Sequence, residues 1–321
     1  MKIKPIILVP GEPNSIFFEI FFKAIKSKNY KSPLLLICCK KLISQEMKRY
    51  KLRKKLRILK VKNLRYNQLD NKFINIIDIN HKKSLKKQIQ TRYTRKYIDN
   101  SFNLAFRLIK NGYTKKLING PINKKTFLNK KFYGITEYIS ERFKERKTGM
   151  LIYNKKLSVC PVTTHLPLRL ISKKITKKII GEKIDIVDSF YRENFNFRPK
   201  IGVTGMNPHC ESILSFNEDE KTIYPVIKIK KQKGIRVKGP YPADTIFLKN
   251  NRDKFDVILG MYHDQVLSPL KALFEYDAIN ITMGLPFLRV SPDHGPNQKM
   301  VGKNKSNPKS LINSIKFLDR K

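Results

Sequence analysis

Tryptophan is absent from this chain of 321 residues, and cysteine occurs only four times. Cys38, Cys39, Cys160 and Cys210 form no CxxC pair. Cys38 and Cys39 are adjacent in a predicted strand and therefore point to opposite faces, which argues against a disulfide framework. Met1 leads directly into an apolar stretch without a signal-peptide cleavage site, so we expect a cytoplasmic protein.

Long hydrophobic runs are also missing. The longest, such as Ile3–Pro10 and Pro33–Cys39, fall well short of the roughly 20 residues that span a bilayer, so they indicate buried strands and no membrane association. A chain of this length exceeds the size at which single hydrophobic cores usually stop growing, and this favours two domains over one.

Acidic residues are few, because 25 Asp and Glu stand against 68 Lys and Arg, for a net charge of +43. Such a charge suggests a polyanionic partner such as nucleic acid. Lysine, however, is spread along the surface-facing segments rather than concentrated with aromatic residues, and the abundance of Ile, Asn and Tyr is typical of compositional drift. We therefore expect no nucleic-acid partner. A basic nucleic-acid-binding protein is the alternative to an enzyme. The positive field should attract anionic small substrates.

The sequence contains neither a GxGxxG nor a Walker A motif, which argues against a standard Rossmann fingerprint and a P-loop NTPase. Apolar runs bounded by turn signals alternate with amphipathic stretches, as in an α/β protein with a largely parallel sheet. The predicted strands are Ile6–Val9, Leu34–Cys39, Leu56–Val61, Ile74–Ile79, Leu117–Ile118, Met150–Tyr153, Leu157–Val162, Ile201–Thr204, Ile235–Val237, Val257–Met261 and Ile279–Thr282. The predicted helices are Ile16–Lys26, Ser44–Tyr50, Ser84–Lys110, Lys173–Glu193, Asp244–Lys249, Gln265–Phe274 and Pro308–Phe317.

Three of the five histidines follow predicted strands. His165, His209 and His263 each lie just beyond the carboxyl end of one, which is the edge where ligands bind in open α/β sheets. Neutral imidazole is the commonest metal ligand, and catalytic zinc typically takes three protein ligands with one position open. Each histidine alone could be an ordinary core residue, but their shared position predicts a metal site. Imidazole ligands leave the metal's identity open.

Other polar residues follow the same strands. Asp244 stands in Gly239–Thr245, a rigid turn that either caps a helix or delivers a catalytic carboxylate. Lys271, Asn280 and Arg289 supply a cation, an amide and a second cation, which suits a phosphate or carboxylate. Two further segments, Gly120–Lys124 and Gly134–Glu137, place small and polar groups where helices are expected to begin, a natural position for anion binding or for an ordinary cap.

Six segments together resemble a known family. VPGEP, TTHLPLR, GMNPHC, GPYPADT, GMYHDQVLSPLK and INITMGLPFLRVSPDHG resemble, in order and spacing, the 4-hydroxythreonine-4-phosphate dehydrogenases of vitamin B6 biosynthesis, over nearly the whole chain. The resemblance implies an isocitrate/isopropylmalate dehydrogenase-like fold, with two α/β/α domains around a central cleft, and a homodimer that shares its metal between subunits. We expect residues 1–133 with 285–321 to form the first domain. Residues 134–284 would form the second, with the metal ligands and dimer contacts.

The same resemblance assigns individual residues. It makes His165, His209 and His263 the ligands of one divalent ion per site, zinc or alternatively magnesium or cobalt. The implied substrate contacts are Thr136, Lys271, Asn280 and Arg289. The implied catalytic groups are Asp244 and Lys271. Asp293-His294-Gly295 resembles the cofactor-side loop of the superfamily, with His294 and Gly295 toward NAD or NADP.

The resemblance implies a reaction. NAD would take a hydride from the secondary alcohol of 4-phosphooxy-L-threonine, and the resulting 3-oxo acid would lose carbon dioxide to give 3-amino-2-oxopropyl phosphate. A divalent cation lowers the pKa of such an alcohol and polarises the ketone, while the protein orients the cofactor and supplies charge. Asp244 or Asp264 is expected to orient a ligand histidine or to assist proton removal.

The chain departs from the family pattern at three places. Ile135 stands where the family usually has a histidine that contacts substrate, Cys210–Leu214 replaces a glycine-rich run, and Pro296-Asn297 replaces small residues. Ile135 neither donates a hydrogen bond nor carries charge. The alternative substrate is therefore a related phosphorylated hydroxy acid, 4-phospho-D-threonate or 4-phospho-D-erythronate. A catalytically weak remnant is a third possibility.

Overall fold

The computed structural model of the protein describes residues 3–123, 127–128, 132, 134–213 and 216–320. The chain forms two compact units, residues 1–135 with 286–321 and residues 136–285. The boundaries expected from the sequence were 133/134 and 284/285. Among the described residues no helix is long and apolar enough to cross a membrane.

The first unit is built on a parallel sheet. Each of its inner strands is a short run of aliphatic residues buried on both faces, as expected where helices cover a parallel sheet. Numbered along the chain, its strands are β1 (Ile6–Val9), β2 (Leu34–Cys38), β3 (Leu56–Ile58), β4 (Ile74–Asp78), β5 (Lys116–Asn119) and β12 (Leu288–Pro292). They follow the order β3-β4-β2-β1-β5-β12, and all their pairings are parallel.

Helices of the first unit bury one apolar face each. Phe17, Phe21 and Phe22 are buried along one helix, which contacts the C-terminal helix. The long third helix packs on β1 and β2, and the C-terminal helix packs on β12. The described helices of this unit are α1 (Phe17–Ser27), α2 (Lys40–Arg49), α3 (Lys87–Lys110) and α10 (Lys309–Asp319).

The second unit has a mixed sheet. Its strands are β6 (Gly149–Tyr153), β7 (Ser158–Thr163), β8 (Ile201–Thr204), β9 (Val237–Tyr241), β10 (Val257–Tyr262) and β11 (Ile279–Met283), in the order β11-β6-β7-β10-β8-β9. The strands β7, β10, β8 and β9 are parallel. The strand β6 runs antiparallel to both β11 and β7. Only a short turn joins β6 to β7, and such a turn permits only an antiparallel pair.

The helices of the second unit surround an apolar core. Val159, Ile258, Val266 and Leu270 lie in one buried cluster that joins β7 and β10 to the helix following β10. The described helices are α4 (Ile135–Phe143, beginning at the boundary residue), α5 (Ile171–Lys174), α6 (Lys177–Phe195), α7 (Tyr224–Gln232), α8 (Lys249–Arg252) and α9 (His263–Phe274).

The predicted α/β class is confirmed, but some elements differ from the sequence prediction. The predicted helix Asp244–Lys249 is wrong, because turns occupy 243–247 and α8 begins only at Lys249. The strand predicted over Leu56–Val61 stops at Ile58, where the chain turns toward a short 3-10 segment. The pattern also missed β12, whose second residue is the arginine Arg289. It missed α7 as well, a lysine-rich helix with Pro225 in its first turn.

Two glycines provide a test of this packing. A Cβ atom on Gly120 would lie 2.1 Å from the carbonyl oxygen of Pro10 and 2.4 Å from Cδ2 of Phe17, whereas one on Gly295 would meet nothing within 4 Å. We therefore expect Gly120→Ala to lower the free energy of unfolding by about 1–3 kcal/mol, as overpacking does. The matched Gly295→Ala change should alter it by less than about 0.5 kcal/mol. Urea unfolding measures both, and equal midpoints would contradict the close approach of the Pro10 and Gly120 backbones.

Candidate active site

His263 begins α9 directly after β10, as the sequence predicted for a residue at the carboxyl edge. Its Nδ1 lies 2.5 Å from Oδ1 of Asp264. A carboxylate at Nδ1 fixes the imidazole tautomer and leaves Nε2 as the electron-pair donor, the arrangement common among metal-binding histidines. Of the two carboxylates considered from the sequence, Asp264 is therefore the one that contacts a predicted ligand.

His165 lies two residues beyond β7, and its ring comes close to that of His263. The two ring centroids are 5.8 Å apart, at an interplanar angle of 40°. With metal–nitrogen distances of about 2.0–2.1 Å, two imidazoles on one ion have centroids at most about 6.4 Å apart. The separation of His165 and His263 thus fits a shared divalent ion.

His209 follows β8 in a short turn, Pro208–Cys210, and its side chain is exposed. Its φ of 55° and that of Cys210, 62°, turn the chain sharply at this point. Within the described part of the chain, no three His, Cys, Asp or Glu side chains form a group able to hold a metal ion. Among the described residues of one chain, His165 and His263 therefore come together without His209.

Asp219 holds the turn that carries His209. This buried carboxylate accepts hydrogen bonds from the backbone N–H of Met206 at 2.7 Å, and from the backbone and side-chain N–H of Asn207 at 3.0 and 2.9 Å. Cys210 lies against the same group. Burial first, and then the charge of Asp219, raise the pKa of the Cys210 thiol to about 11, with a smaller contribution from Asp244. Asp219 has no local sequence signature, because the backbone groups that it binds lie 12 and 13 residues earlier in the chain.

Asp244 is exposed in the turn after β9, and its charge reaches the Cys210 thiol. It therefore belongs to the neighbourhood of the His209 turn. Lys271 lies half-buried in the last turn of α9.

The start of α4 and strand β11 carry other predicted substrate contacts. Thr136 Oγ1 lies 3.4 Å from Thr282 Oγ1. Asn280 is half-buried, and among the described residues its Oδ1 is buried without a hydrogen-bond partner, so this oxygen suits a donor from a ligand. Ile135 is the first residue of α4 and is half-buried beside Thr136.

Glu137 adds a carboxylate that the sequence analysis did not assign to the site. Its Oε1 accepts a long hydrogen bond, 3.5 Å, from the hydroxyl of Thr164, which directly precedes His165. Its Oε2 is buried and has no hydrogen-bond partner within the described ranges. The segment Gly134–Glu137 does start a helix, as expected, whereas Lys124 of the other predicted anion-binding segment lies outside the described residues, as does Leu214 of the altered run after His209.

Arg289 is a core residue of the first unit. It lies in β12 with 1% of its surface exposed, and its Nε donates to Oδ1 of Asn119 at 2.7 Å. Asn119, the last residue of β5, is also buried. A buried guanidinium held by a strand-end amide is stiffly oriented, which suits recognition of an anion better than a solvated surface arginine would.

The predicted cofactor loop lies between two helix starts of the first unit. Asp293 N–H donates to Oγ of Ser310 at 2.9 Å, and the carbonyl of Pro296 accepts from Ile16 N–H at 3.2 Å. His294 Nδ1 lies 3.0 Å from the carbonyl oxygen of Gly295. The open space next to the Gly295 Cα would admit a ligand close to the backbone.

Glu12 is a buried carboxyl group three residues beyond β1. Its side chain is 8% exposed, and its Oε2 has no partner in the part of the chain that the structure describes. Burial raises the pKa of Glu12 above its ordinary value, and the backbone N–H of Asn123 partly offsets the rise. The motif VPGEP contained this residue, but its burial was not evident from the sequence.

A pH series tests the burial of Glu12. Burial raises the pKa of Glu12 in the folded protein. The contribution of Glu12 to the free energy of unfolding is therefore fully present below the ordinary pKa of 4.5, and it is lost as the pH rises through the pKa of the folded state. Glu12→Gln should therefore raise the free energy of unfolding at pH 7 and leave it nearly unchanged at pH 4. The matched change of exposed Glu193 to Gln should have little effect at either pH. A gain from Glu12→Gln that is equal at both pH values in urea unfolding would refute the assignment.

Comparison with known proteins gives a family for this arrangement. The family model described as "Pyridoxal phosphate biosynthetic protein PdxA" matches residues 30–318. A 4-hydroxythreonine-4-phosphate dehydrogenase from Sulfurihydrogenibium sp. (strain YO3AOP1) is 38% identical over 205 residues, which cover 63% of this chain and 63% of that protein. A D-threonate 4-phosphate dehydrogenase from Pectobacterium atrosepticum is 35% identical over 224 residues, covering 67% and 69%. The matched region thus spans less than two thirds of the first of these relatives.

A solved structure matches over the full chain. The crystal structure of a 4-hydroxythreonine-4-phosphate dehydrogenase from Klebsiella pneumoniae superposes with a TM-score of 0.81 at 28% identity, covering 98% of each chain. The similarity therefore extends to both units described above.

Proposed function

The chain belongs to the family of the pyridoxal phosphate biosynthetic protein PdxA, and on that premise we propose that it is a 4-hydroxythreonine-4-phosphate dehydrogenase. It oxidises 4-phosphooxy-L-threonine to 2-amino-3-oxo-4-phosphooxybutanoate with NAD, or alternatively NADP, in pyridoxal 5'-phosphate biosynthesis. The oxo acid then loses carbon dioxide to give 3-amino-2-oxopropyl phosphate. The observation that carries the proposal is the close approach of two imidazole rings, those of His165 and His263, whose centroids are 5.8 Å apart. Asp264 contacts Nδ1 of His263.

The metal is assigned to His165, His209 and His263. A divalent cation, zinc or alternatively magnesium or cobalt, would supply Lewis acidity toward the secondary alcohol and the developing ketone. Because His165 lies beside His263, and no third His, Cys, Asp or Glu joins them among the described residues, we assign His209 to the site of a second copy, so that a homodimer shares each metal. Such sharing needs the histidine segments to lie at the dimer contact.

Exposed apolar side chains on these segments support that contact. Leu168, three residues after His165, is 72% exposed, and Leu170 is exposed as well. Ile213 and Phe216 are exposed beyond His209. Large apolar side chains next to a polar site are typical of surfaces that a partner covers.

Polar residues of each unit have proposed roles toward the phosphorylated substrate. Asn280 Oδ1 would accept a hydrogen bond from it, and Thr136, Lys271 and Arg289 would bind phosphate or carboxylate oxygens. His294 and Gly295 would hold NAD, which would supply the hydride acceptor. The alcohol proton would pass to Asp244, and Lys271 would return a proton to the carbon that loses carbon dioxide.

A cytoplasmic location is part of the proposal. The cysteines Cys38, Cys39 and Cys160 are buried as free thiols, and Cys210 is a partly buried free thiol. Unpaired thiols suit the reducing cytosol.

Two observations favour 4-phospho-D-threonate or 4-phospho-D-erythronate as a second candidate substrate. Ile135 replaces a family histidine at the start of α4, and the Pectobacterium relative bears the name of a D-threonate 4-phosphate dehydrogenase. Both candidates are phosphorylated hydroxy acids, so the proposed chemistry of the alcohol is the same.

A metal-binding measurement tests the histidine assignment. His263→Ala should weaken divalent-metal affinity by more than about 100-fold, because it removes a direct ligand rather than an outer-shell partner. His81→Gln, a change of a first-unit histidine with no proposed role at the metal, should leave metal affinity unchanged. Competition with a chromophoric chelator gives both values, and wild-type affinity in His263→Ala would remove the metal site from the proposal.

A substrate panel tests the reaction. We expect the kcat/KM for NADH formation to be higher with 4-phosphooxy-L-threonine than with 4-phospho-D-threonate or 4-phospho-D-erythronate. Ile135→His should lower the KM for the preferred substrate, because a hydrogen-bond donor is regained, whereas Ile135→Leu should not. No turnover of any of the three substrates by metal-loaded protein would overturn the dehydrogenase assignment.

A further inference from the structure

The side chain of Gln265 joins two strand ends of the second unit. Gln265 is the third residue of α9, two positions after His263. Its Oε1 accepts hydrogen bonds from Thr204 Oγ1 and from Met261 N–H, both at 2.7 Å. Its Nε2 donates to the carbonyl oxygen of Gly205 at 2.8 Å. These bonds use both ends of the amide, so its orientation is fixed.

Each residue that Gln265 binds lies two to five positions before a predicted metal ligand in the sequence. Thr204 is the last residue of β8, and Gly205 follows it toward the turn of His209. Met261 lies in β10, two residues before His263. The carbonyl oxygen of Met261 also accepts a hydrogen bond from Thr163 Oγ1 at 2.8 Å. Thr163 is the last residue of β7, two positions before His165, so Met261 is bonded to both Gln265 and the end of β7.

The packing at Gly205 leaves little room for the turn to shift. A Cβ atom there would lie 2.5 Å from Sγ of Cys210 and 2.7 Å from Oδ1 of Asp219. Asp219 binds the next two backbone N–H groups, those of Met206 and Asn207. The turn before His209 is therefore held on one side by Gln265 and on the other by Asp219.

We propose that Gln265 is a positioning residue for the metal site. It fixes the end of β8, and with it the His209 turn, relative to His263 of the same chain. This inference rests on the proposed function, because it assumes that both histidines bind metal. It assigns Gln265 no contact with metal or substrate, and its effect is exerted through the two backbones that its amide connects.

A purely structural role would predict lower stability alone, so the test needs a matched control. Gln265→Met keeps side-chain length and removes all three hydrogen bonds. Tyr191→Phe removes a buried hydrogen bond, 2.9 Å to Ser158 Oγ, at the amino end of β7, far along the strand from His165. Both variants should unfold at lower urea concentration than the wild type.

Cobalt binding by the intact protein separates the two roles. We expect Gln265→Met to weaken Co²⁺ affinity by about 10- to 100-fold, the range for outer-shell residues, and to alter the visible absorption of the bound ion. Tyr191→Phe should retain wild-type affinity and spectrum. Equal Co²⁺ affinity in the wild type and Gln265→Met would overturn the inference, and so would an equal loss in both variants.

A double-mutant cycle tests the route of the effect. Thr204→Val keeps the shape of the side chain and removes one of the three bonds to Gln265, so it should weaken Co²⁺ binding less than Gln265→Met does. In the Gln265→Met background it should cause no further loss, because the bond is already gone. A loss of the same size in both backgrounds would contradict the proposed connection.

Hydrogen exchange of the metal-free protein distinguishes failure of this inference from failure of the proposed function. The amides of Met206 and Asn207 should exchange faster in Gln265→Met than in the wild type or Tyr191→Phe. If the wild type binds no divalent metal, the proposed function fails and the positioning role with it, even where exchange rises. If metal binds but exchange and affinity are unchanged in Gln265→Met, only the inference on Gln265 fails.

Discussion

Hydrogen bonds from side chains to the backbone at the carboxyl ends of β7, β8 and β10 set the geometry on which the candidate site depends. Where a buried strand stops, its backbone N–H and C=O groups lose their ladder partners and need others. Here Gln265 supplies them at Met261 and Gly205, and Asp219 supplies them at Met206. The histidines follow these strand ends along the chain. The hydrogen bonds that satisfy the strand ends therefore also set the positions of the imidazoles.

The first unit meets the same requirement with different chemistry. Asn119 is the last residue of β5, and its side-chain oxygen accepts a hydrogen bond from Arg289, a cation buried within the parallel sheet. Glu12, three residues beyond β1, is a buried carboxyl group whose Oε2 has no hydrogen-bond partner among the described residues. Buried groups of this kind cost stability unless a partner satisfies them, and a charged or polar ligand is one such partner. This supports a binding role for the residues at this edge.

The sequence predicted most strands because aliphatic runs such as Ile6–Val9 are buried on both faces and need no tertiary information. It also predicted the edge at which the histidines lie, and the structure brings His165 and His263 together. The partners of Gln265 and Asp219 could not be predicted, because an amide or carboxylate whose partners lie elsewhere in the fold has no local signature. The strand β12 was missed for a related reason, since Arg289 resembles a surface residue until its partner Asn119 is known.

Among the described residues of a single chain, His209 does not join His165 and His263, and sharing of each metal between two copies explains this separation. Complementation measures this most directly. His209→Ala and His263→Ala chains, each inactive alone, are unfolded together and refolded, and NADH formation from 4-phosphooxy-L-threonine is followed with metal present. Random pairing makes half of the dimers mixed, each with one intact site, so we predict roughly a quarter of wild-type activity. A mixture as inactive as either variant alone would contradict it.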